Sequence, residues 1–328
     1  MPEYQLGNGN NTFNAAYAAG WSSGSSVFGG NGDDTIKINP FSYGSSFNTY
    51  VDGGNGDDTI LLHAANSVAF GNNGNDTLTS TGGLGNTLSG GNGDDLLISV
   101  GGGSGMGPSN TLTGGLGQDS FTLVNYGNLV VKNDAAGNGV VSDGDVFVGP
   151  MDVITDYTQG EHIGLRNFDG AANGPAATDT PLSKIDNVAL APDPLEHTGD
   201  SFRPVVGSEQ YAAFHGTFAG INSFTVNASG PDLFVVYDTH AGPTELVGKG
   251  SLVLLGVSDT QLVAQALSSA TATGAGSGLD FSDQVKAAMS SDMNTGGQNG
   301  SATPGAWDMP ASSLSAMDLV PHTGSFSG

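Results

Sequence analysis

Residues 29–36 read Gly29-Gly30-Asn31-Gly32-Asp33-Asp34-Thr35-Ile36, and the phrase returns as Gly53-Gly54-Asn55-Gly56-Asp57-Asp58-Thr59-Ile60 and as Gly90-Gly91-Asn92-Gly93-Asp94-Asp95-Leu96-Leu97. Looser copies stand at Gly71-Asn72-Asn73-Gly74-Asn75-Asp76-Thr77-Leu78 and Gly114-Gly115-Leu116-Gly117-Gln118-Asp119-Ser120-Phe121. A worn copy opens the chain at Gly7-Asn8-Gly9-Asn10-Asn11-Thr12-Phe13. An apolar residue falls at one fixed offset from each turn: Ile36, Ile60, Leu78, Leu97, Phe121. A disordered Gly/Asn linker has no reason to keep that offset, so the run is read as a repeat array rather than as low complexity.

Glycine turns the backbone through positive φ without a Cβ clash. Such a turn aims carbonyl oxygens inward and brings the sixth-position acid beside them; the eighth residue then enters a short strand and points into a core. The sixth positions are separated by 24 residues (Asp34 to Asp58), 18 (to Asp76), 19 (to Asp95) and 24 (to Asp119). Eighteen is one coil of two nine-residue halves. The longer intervals add a loop to one half, as at residues 39–47 and 101–109. The half before each turn, Asn48-Thr49-Tyr50-Val51, Asn66-Ser67-Val68-Ala69, Asn86-Thr87-Leu88 and Asn110-Thr111-Leu112, reads as a second strand. One edge of the coil is therefore a regular row of turns and the other carries variable loops, the face on which repeat proteins place contacts.

The phrase matches Gly-Gly-x-Gly-x-Asp-x-apolar-x, and the chain resembles the RTX (repeats-in-toxin, hemolysin-type) family of secreted calcium-binding proteins. The resemblance implies a parallel β-roll holding several Ca²⁺ ions. Carried onto this sequence, the ligands are Asp33, Asp34, Asp57, Asp58, Asp76, Asp94, Asp95 and Asp119, with Asn11 in the worn copy. The turn glycines Gly30, Gly32, Gly54, Gly56, Gly74, Gly91, Gly93, Gly115 and Gly117 complete the set. Coils ~4.8 Å apart let Asp34 and Asp58 grip one ion at ~2.4 Å each. Without metal, two such carboxylates repel by roughly 1 kcal/mol at the dielectric of water and ~3.5 at an effective value of 20. The domain is thus expected to fold only as its metal binds.

The 328 residues carry 7 Lys+Arg against 32 Asp+Glu, a net charge of −25, and 54 glycines. Nucleic acid and anionic membrane both need clustered basic residues, so neither is expected as a partner. Acid supplied as Asp in turns suits hard, oxygen-seeking cations. There is no cysteine, and bound metal is the expected staple in place of disulfides. No apolar window of about 18 residues predicts a membrane span. Met1-Pro2-Glu3-Tyr4-Gln5 lacks the charged and apolar segments of a cleavable leader. RTX-like proteins leave the cell by type I secretion machinery reading a C-terminal signal, which implies a secreted, extracellular or cell-surface protein.

The expected fold is all-β: the β-roll over residues 1–125, a mostly antiparallel capping domain over 126–263, and an irregular Ser/Ala/Gly-rich tail over 264–328 holding the secretion signal and packing either on a neighbouring subunit, as assembly contacts, or equally on the cap. Beyond Asn125, strand patterns appear at Val153-Ile154-Thr155-Asp156-Tyr157, Leu233-Phe234-Val235-Val236-Tyr237-Asp238 and Leu252-Val253-Leu254-Leu255-Gly256-Val257. A repeat stack needs such a cap over its last apolar coil, and Phe214, Phe218, Phe224 and Phe234 are expected to fill its core. Asp152 to Ile163 is similar to the segment that follows the roll in serralysin-type exoproteins. That implies a further Ca²⁺ at Asp152 and Asp156; on the residues alone these are equally two aspartates at a strand end. Ile163-Gly164-Leu165 lacks the aspartate usual between that apolar pair. Asp134, Asn138, Gly139 and Asp145 sit at EF-hand-like offsets, but Ala136 occupies a ligand position and the segment is read as a loop. In the tail, residues 280–289 are the one amphipathic stretch.

No enzyme is expected. Gly20-Trp21-Ser22-Ser23-Gly24 matches a nucleophile elbow only in letters, since it sits in a Gly/Ser loop rather than between strand and helix. His63, His162, His197, His215, His240 and His322 are scattered without metal-ligand spacing. The outward positions Thr35/Lys37, Thr59/Leu61, Thr77/Thr79, Leu96/Ile98 and Ser120/Thr122 are too irregular for an ice lattice. The chain thus reads as an extracellular structural protein that folds on calcium and self-assembles, as homo-oligomer or polymer, into a surface layer or fibre. The alternatives are a soluble calcium-binding effector or adhesin and, behind it, an RTX-type hydrolase.

Overall fold

The computed structural model describes residues 2–15, 18, 21–38, 48–81, 85–101, 110–125, 129–165, 182–192, 201–220, 222–239, 250–260, 264 and 267. The expected loops at 39–47 and 102–109 and the tail, with its 280–289 stretch, lie outside them, apart from Ala264 and Leu267. By contacts the chain divides into Met1–Gly297 and Gln298–Gly328; the second unit also lies outside the described residues.

The regular structure of the described residues is nearly all strand, with almost no helix. The strands are laid down in pairs, one for each of two sheets: β1 (Glu3–Asn8) and β2 (Thr12–Asn14), β3 (Ser26–Asn31) and β4 (Thr35–Ile38), β5 (Tyr50–Asn55) and β6 (Thr59–Leu62), β7 (Val68–Asn73) and β8 (Thr77–Thr81), β9 (Thr87–Asn92) and β10 (Leu96–Gly101), β11 (Thr111–Leu116) and β12 (Ser120–Asn125). The odd members pair in parallel in a 16-stranded sheet and the even members in a 7-stranded one. A pair is called a rung below. Register holds from rung to rung: Phe13, Ile36, Ile60, Leu78, Leu97 and Phe121 stand in line across the smaller sheet.

Strand alternation explains the core. Val27, Val51, Ala69, Leu88 and Leu112 face inward from the larger sheet, and Ile36, Ile60, Leu78, Leu97 and Phe121 meet them from the smaller; all are fully buried. Each of these side chains larger than Ala69 contributes about 1.5–3 kcal/mol. At the first rung the column ends on aromatic rings: Phe13 lies 5.1 Å from Tyr4 and 5.6 Å from Trp21, centroid to centroid. Trp21 thus belongs to the core's end. Ser22 beside it accepts a hydrogen bond from Ser25 Oγ through its carbonyl (2.7 Å), and a strand rather than a helix follows.

Beyond residue 125 come β13 (Val130–Val131), β14 (Val146–Val148), β15 (Asp152–Ile154), β16 (His162–Leu165), β17 (Ser183–Lys184), β18 (Ala189–Pro192), β19 (Phe202–Val205), β20 (Gln210–Phe218), β21 (Ser223–Val226), β22 (Asp232–Asp238) and β23 (Gly250–Leu254). The parallel stack does not stop where the glycine repeat does. β15 pairs in parallel with β11, and β16 with β12, so residues 152–165 add one more rung within the segment assigned to the cap. β23 then pairs in parallel with β15, and β22 runs antiparallel to β23. The larger sheet continues through β20, β21 and β14 by antiparallel pairing. Leu233, Val235, Leu252 and Leu254 belong to the same buried cluster as the rung residues. The opposite face of these strands forms a second core, where Phe234 lies 4.7 Å from Phe147 and 5.0 Å from Phe224; Phe214 and Phe218 pack against it.

One face differs from its sequence reading. Leu61, Thr79, Ile98 and Thr122, placed on the outside of the smaller sheet by alternation, are buried, and Ile98, Val100 and Val124 make a small third cluster. That side of the later rungs is covered rather than open to solvent.

Candidate metal centre along the glycine turns

Each rung crosses from the larger sheet to the smaller through one glycine turn. Register stacks the turns: Gly30 faces Gly54, which faces Asn72, then Gly91, then Gly115. Gly54 has φ +112° and Gly56 φ +121°, the left-handed region that only glycine enters freely. A Cβ on Gly54 would strike the Gly30 carbonyl oxygen, and one on Gly56 the Gly32 carbonyl oxygen, so carbonyls lie one above another along this edge.

The sixth-position carboxylates form a ladder beneath those carbonyls. Asp34, Asp58, Asp76, Asp95 and Asp119 are 1–2% exposed. Each Oδ1 accepts the backbone N–H one rung back: Asn11 to Asp34 (2.7 Å), Asp34 to Asp58 (2.7 Å), Asp58 to Asp76 (2.7 Å), Asp76 to Asp95 (2.7 Å) and Asp95 to Asp119 (2.9 Å). Each Oδ2 is buried without a hydrogen-bond partner. These oxygens rest against the first glycine of their own turn. A Cβ on Gly53 would collide with Asp58 Oδ2 and come within 3.0 Å of the Gly71 carbonyl oxygen. Burial pushes Asp58, Asp76 and Asp95 up to about 7, with neighbouring carboxylates adding to it and the accepted amides opposing it. Burial raises Asp119 likewise.

Five buried, unpartnered carboxylate oxygens beside stacked carbonyls are an uncompensated arrangement, since a buried polar atom is normally hydrogen-bonded. Among the described residues no three His, Cys, Asp or Glu side chains gather as a metal-holding group. An ion here would therefore draw on backbone carbonyls together with one or two carboxylates. That all-oxygen donor set fits Ca²⁺, and the orphaned Oδ2 atoms fit the same cation.

The fifth positions do something else. Asp33, Asp57 and Asp94 are exposed, and with Asn75 they form an outer ladder in which each Oδ1 accepts the next rung's N–H: Asp57 to Asp33 (3.0 Å), Asn75 to Asp57 (2.7 Å), Asp94 to Asn75 (2.8 Å), Gln118 to Asp94 (2.8 Å). A third ladder runs amide to amide, Asn31 to Asn8 (2.6 Å), Asn55 to Asn31 (2.7 Å), Asn73 to Asn55 (2.8 Å) and Asn92 to Asn73 (2.7 Å). The acids grouped as ligands in the sequence thus divide into a buried row with spare oxygens and an exposed row that closes the backbone.

Asp152 and Asp156 are not brought together. Asp156 lies on the turn edge and accepts the N–H groups of Gly114 (3.0 Å) and Gly115 (2.8 Å). Asp152 lies on the far edge, where its Oδ1 accepts from Asn110 N (3.0 Å) and Ser99 Oγ (3.1 Å) while its Oδ2 is buried without a partner. The residue in line with Asp119 on the next rung is Glu161, because His162 pairs with Ser120. Glu161 is buried, accepts Thr158 N at 2.7 Å, and is pushed up to about 7 chiefly by burial. Sequence reading missed it, although Gly160-Glu161-His162-Ile163 is a shortened copy of Gly117-Gln118-Asp119-Ser120-Phe121.

The EF-hand-like offsets make a closed loop. Asp134 accepts Gly139 N at 2.8 Å; Asp145, fully buried, accepts Ala135 N at 2.7 Å and Ser142 N at 2.8 Å. Of the histidines, His63 Nδ1 meets Thr81 Oγ1 at 3.0 Å, His162 is buried in β16 and His215 lies in β20; the other three fall outside the described residues. No helix of the described residues is long and apolar enough to cross a membrane. No family model matches this chain, and no curated protein matches it.

Proposed function

We propose that this chain is an RTX-type calcium-binding protein, a parallel β-roll with a β-rich cap, secreted by a type I route and acting as an extracellular structural unit that self-assembles into a layer or fibre. The single observation that carries the calcium reading is the row of buried Oδ2 atoms of Asp34, Asp58, Asp76, Asp95 and Asp119, which have no partner. Bound there, Ca²⁺ would supply positive charge and take its ligands from these carboxylate and carbonyl oxygens.

The remaining work falls to the chain. Asp58, Asp76 and Asp95, pushed up to about 7 in the metal-free protein, give up protons as they become ligands, so binding competes with acid. In the folded stack the Oδ1 ladder fixes each carboxylate, and the positive-φ glycines hold the carbonyls over it. Millimolar calcium outside a cell suits extracellular modules, whose affinities run ~10⁻⁴–10⁻³ M. A net charge of −25 opposes association until cations lower it. Purified chain stripped of metal and titrated with calcium tests both parts. A calcium-dependent β spectrum followed by ordered sheets or filaments supports the whole reading; a calcium-dependent fold that stays monomeric keeps the first part and removes the assembly.

A further inference from the structure

The outward face of the larger sheet offers a different chemistry from its turn edge. Register places Phe28, Asp52 and Phe70 in one column on three successive strands, with Ser26, Tyr50 and Val68 in the column beside it. Strands lie ~4.8 Å apart, so Asp52 stands between two rings with Tyr50 alongside. The Tyr50 ring is 5.5 Å from Phe28 and 5.6 Å from Phe70, tilted 39° and 45° to them. Asp52 is fixed there: its Oδ1 accepts Asn72 Nδ2 at 2.8 Å and its Oδ2 the Tyr50 hydroxyl at 3.4 Å. Tyr50 is 36% exposed, and Phe28, Phe70 and Asp52 are half-buried. The next residues along the Asp52 column, Gln5 and Ser89, are uncharged.

We propose that this face binds a basic side chain, arginine or lysine, presented by a partner protein, with the cation on Asp52 and its stem against Phe28, Tyr50 and Phe70. A carboxylate framed by ring systems places a cation within the ~6 Å over which ring quadrupoles attract it. Arginine adds a bidentate contact to the carboxylate's open lone pairs. The chain's net charge of −25 draws such a partner in. The inter-ring tilts of 39° and 45° leave no coplanar platform across the three rings for an extended sugar chain. The site uses none of the buried Oδ2 atoms, but it rests on the proposed function in needing the stack folded, so calcium stays in the buffer.

Calorimetric titration of the full chain in calcium buffer, with the peptide Gly-Arg-Gly-Arg-Gly as probe, tests the assignment. The uncharged Gly-Gln-Gly-Gln-Gly and cellotetraose serve as comparisons. Arginine-peptide binding should be detected, and Asp52→Asn and Tyr50→Ala should each weaken it at least tenfold. Phe70→Leu, which keeps an apolar contact on the strand, should weaken it severalfold with an unchanged circular dichroism spectrum. Asp186→Asn, which removes an exposed charge elsewhere, should leave it within twofold. No arginine binding, equal loss in Asp186→Asn, insensitivity to Asp52→Asn, or cellotetraose binding in its place would each overturn the proposal.

Discussion

Both edges of the parallel stack carry a ladder in which a side-chain oxygen accepts the amide of the rung before it, yet one edge is built of aspartate and the other of neutral residues until its last step, where Asn110 N donates to Asp152 Oδ1. On the neutral edge Thr49 N donates to Ser67 Oγ (2.9 Å), Ser67 N to Asn86 Oδ1 (2.9 Å) and Asn86 N to Asn110 Oδ1 (3.0 Å). The asparagines then close on the protein itself: Asn86 Nδ2 donates to Ala64 O (2.6 Å) and Ser80 Oγ (2.9 Å), and Asn110 Nδ2 to Ser99 Oγ (2.9 Å). On the acidic edge the corresponding atom is Oδ2, an acceptor facing other acceptors, and it is left unpartnered. Geometry of the backbone ladder is shared; what differs is whether the second side-chain atom brings its own donor. Under the proposed function, the cation takes the edge where five successive rungs lack that donor, whereas on the other edge only Asp152 lacks it.

The comparison breaks most sharply if the neutral edge is made acidic. Asn110→Asp removes the donor to Ser99 and buries an unpaired charge beside Asp152, and should cost about 3–5 kcal/mol in denaturant unfolding with calcium present. If calcium instead raised the variant's stability above wild type, an acidic residue would suffice to build a site on either edge. Gly53→Ala acts on the acidic edge by pressing a Cβ into Asp58 Oδ2 and the Gly71 carbonyl. It should cost about 1–3 kcal/mol and raise the calcium concentration needed for folding.

Acidity sharpens the contrast further. Folded-state carboxyls raised from 3.8 to about 7 hold their protons longer than the unfolded chain does. Metal-free stability is then greatest below about pH 4 and falls as pH rises through about 7. With calcium the trend reverses, because protons compete for the same oxygens. Melting curves between pH 4 and 8, with and without chelator, should cross; parallel curves would mean the buried row is not titrating. The smallest effect is expected at the exposed row. Asp33→Asn keeps the Oδ1 that accepts Asp57 N and should change stability by no more than about 0.5 kcal/mol.

Much of this was legible in the sequence because the repeat fixes both the turn and the apolar offset. Ile36, Ile60, Leu78, Leu97 and Phe121 read as inward-facing, and they are. The second strand of each rung was legible too, and Val51, Ala69, Leu88 and Leu112 stand in line across it. Asn48 and Asn66 look equivalent to Asn86 and Asn110, whereas register makes Thr49 and Ser67 their counterparts. Asn48 and Asn66 instead turn the chain at φ +58° and +51°, a conformation asparagine tolerates and a sequence pattern does not separate from a ladder position. The end of the stack was hidden for a similar reason. Past Asn125 the glycines thin, so the rung at 152–165 carries only a shortened copy of the repeat, and Glu161 stands in the aspartate's position after a shortened turn. Within the turns, sequence grouped Asp33 with Asp34; only burial distinguishes the one that caps the backbone from the one that keeps an oxygen spare.

The most direct test follows the far-ultraviolet circular dichroism of the purified chain through chelation and return of calcium. The account predicts that excess EDTA abolishes most of the β signal and that calcium restores it cooperatively, with a midpoint in the ~10⁻⁴–10⁻³ M range. A full β spectrum and unchanged melting curve in EDTA would contradict it.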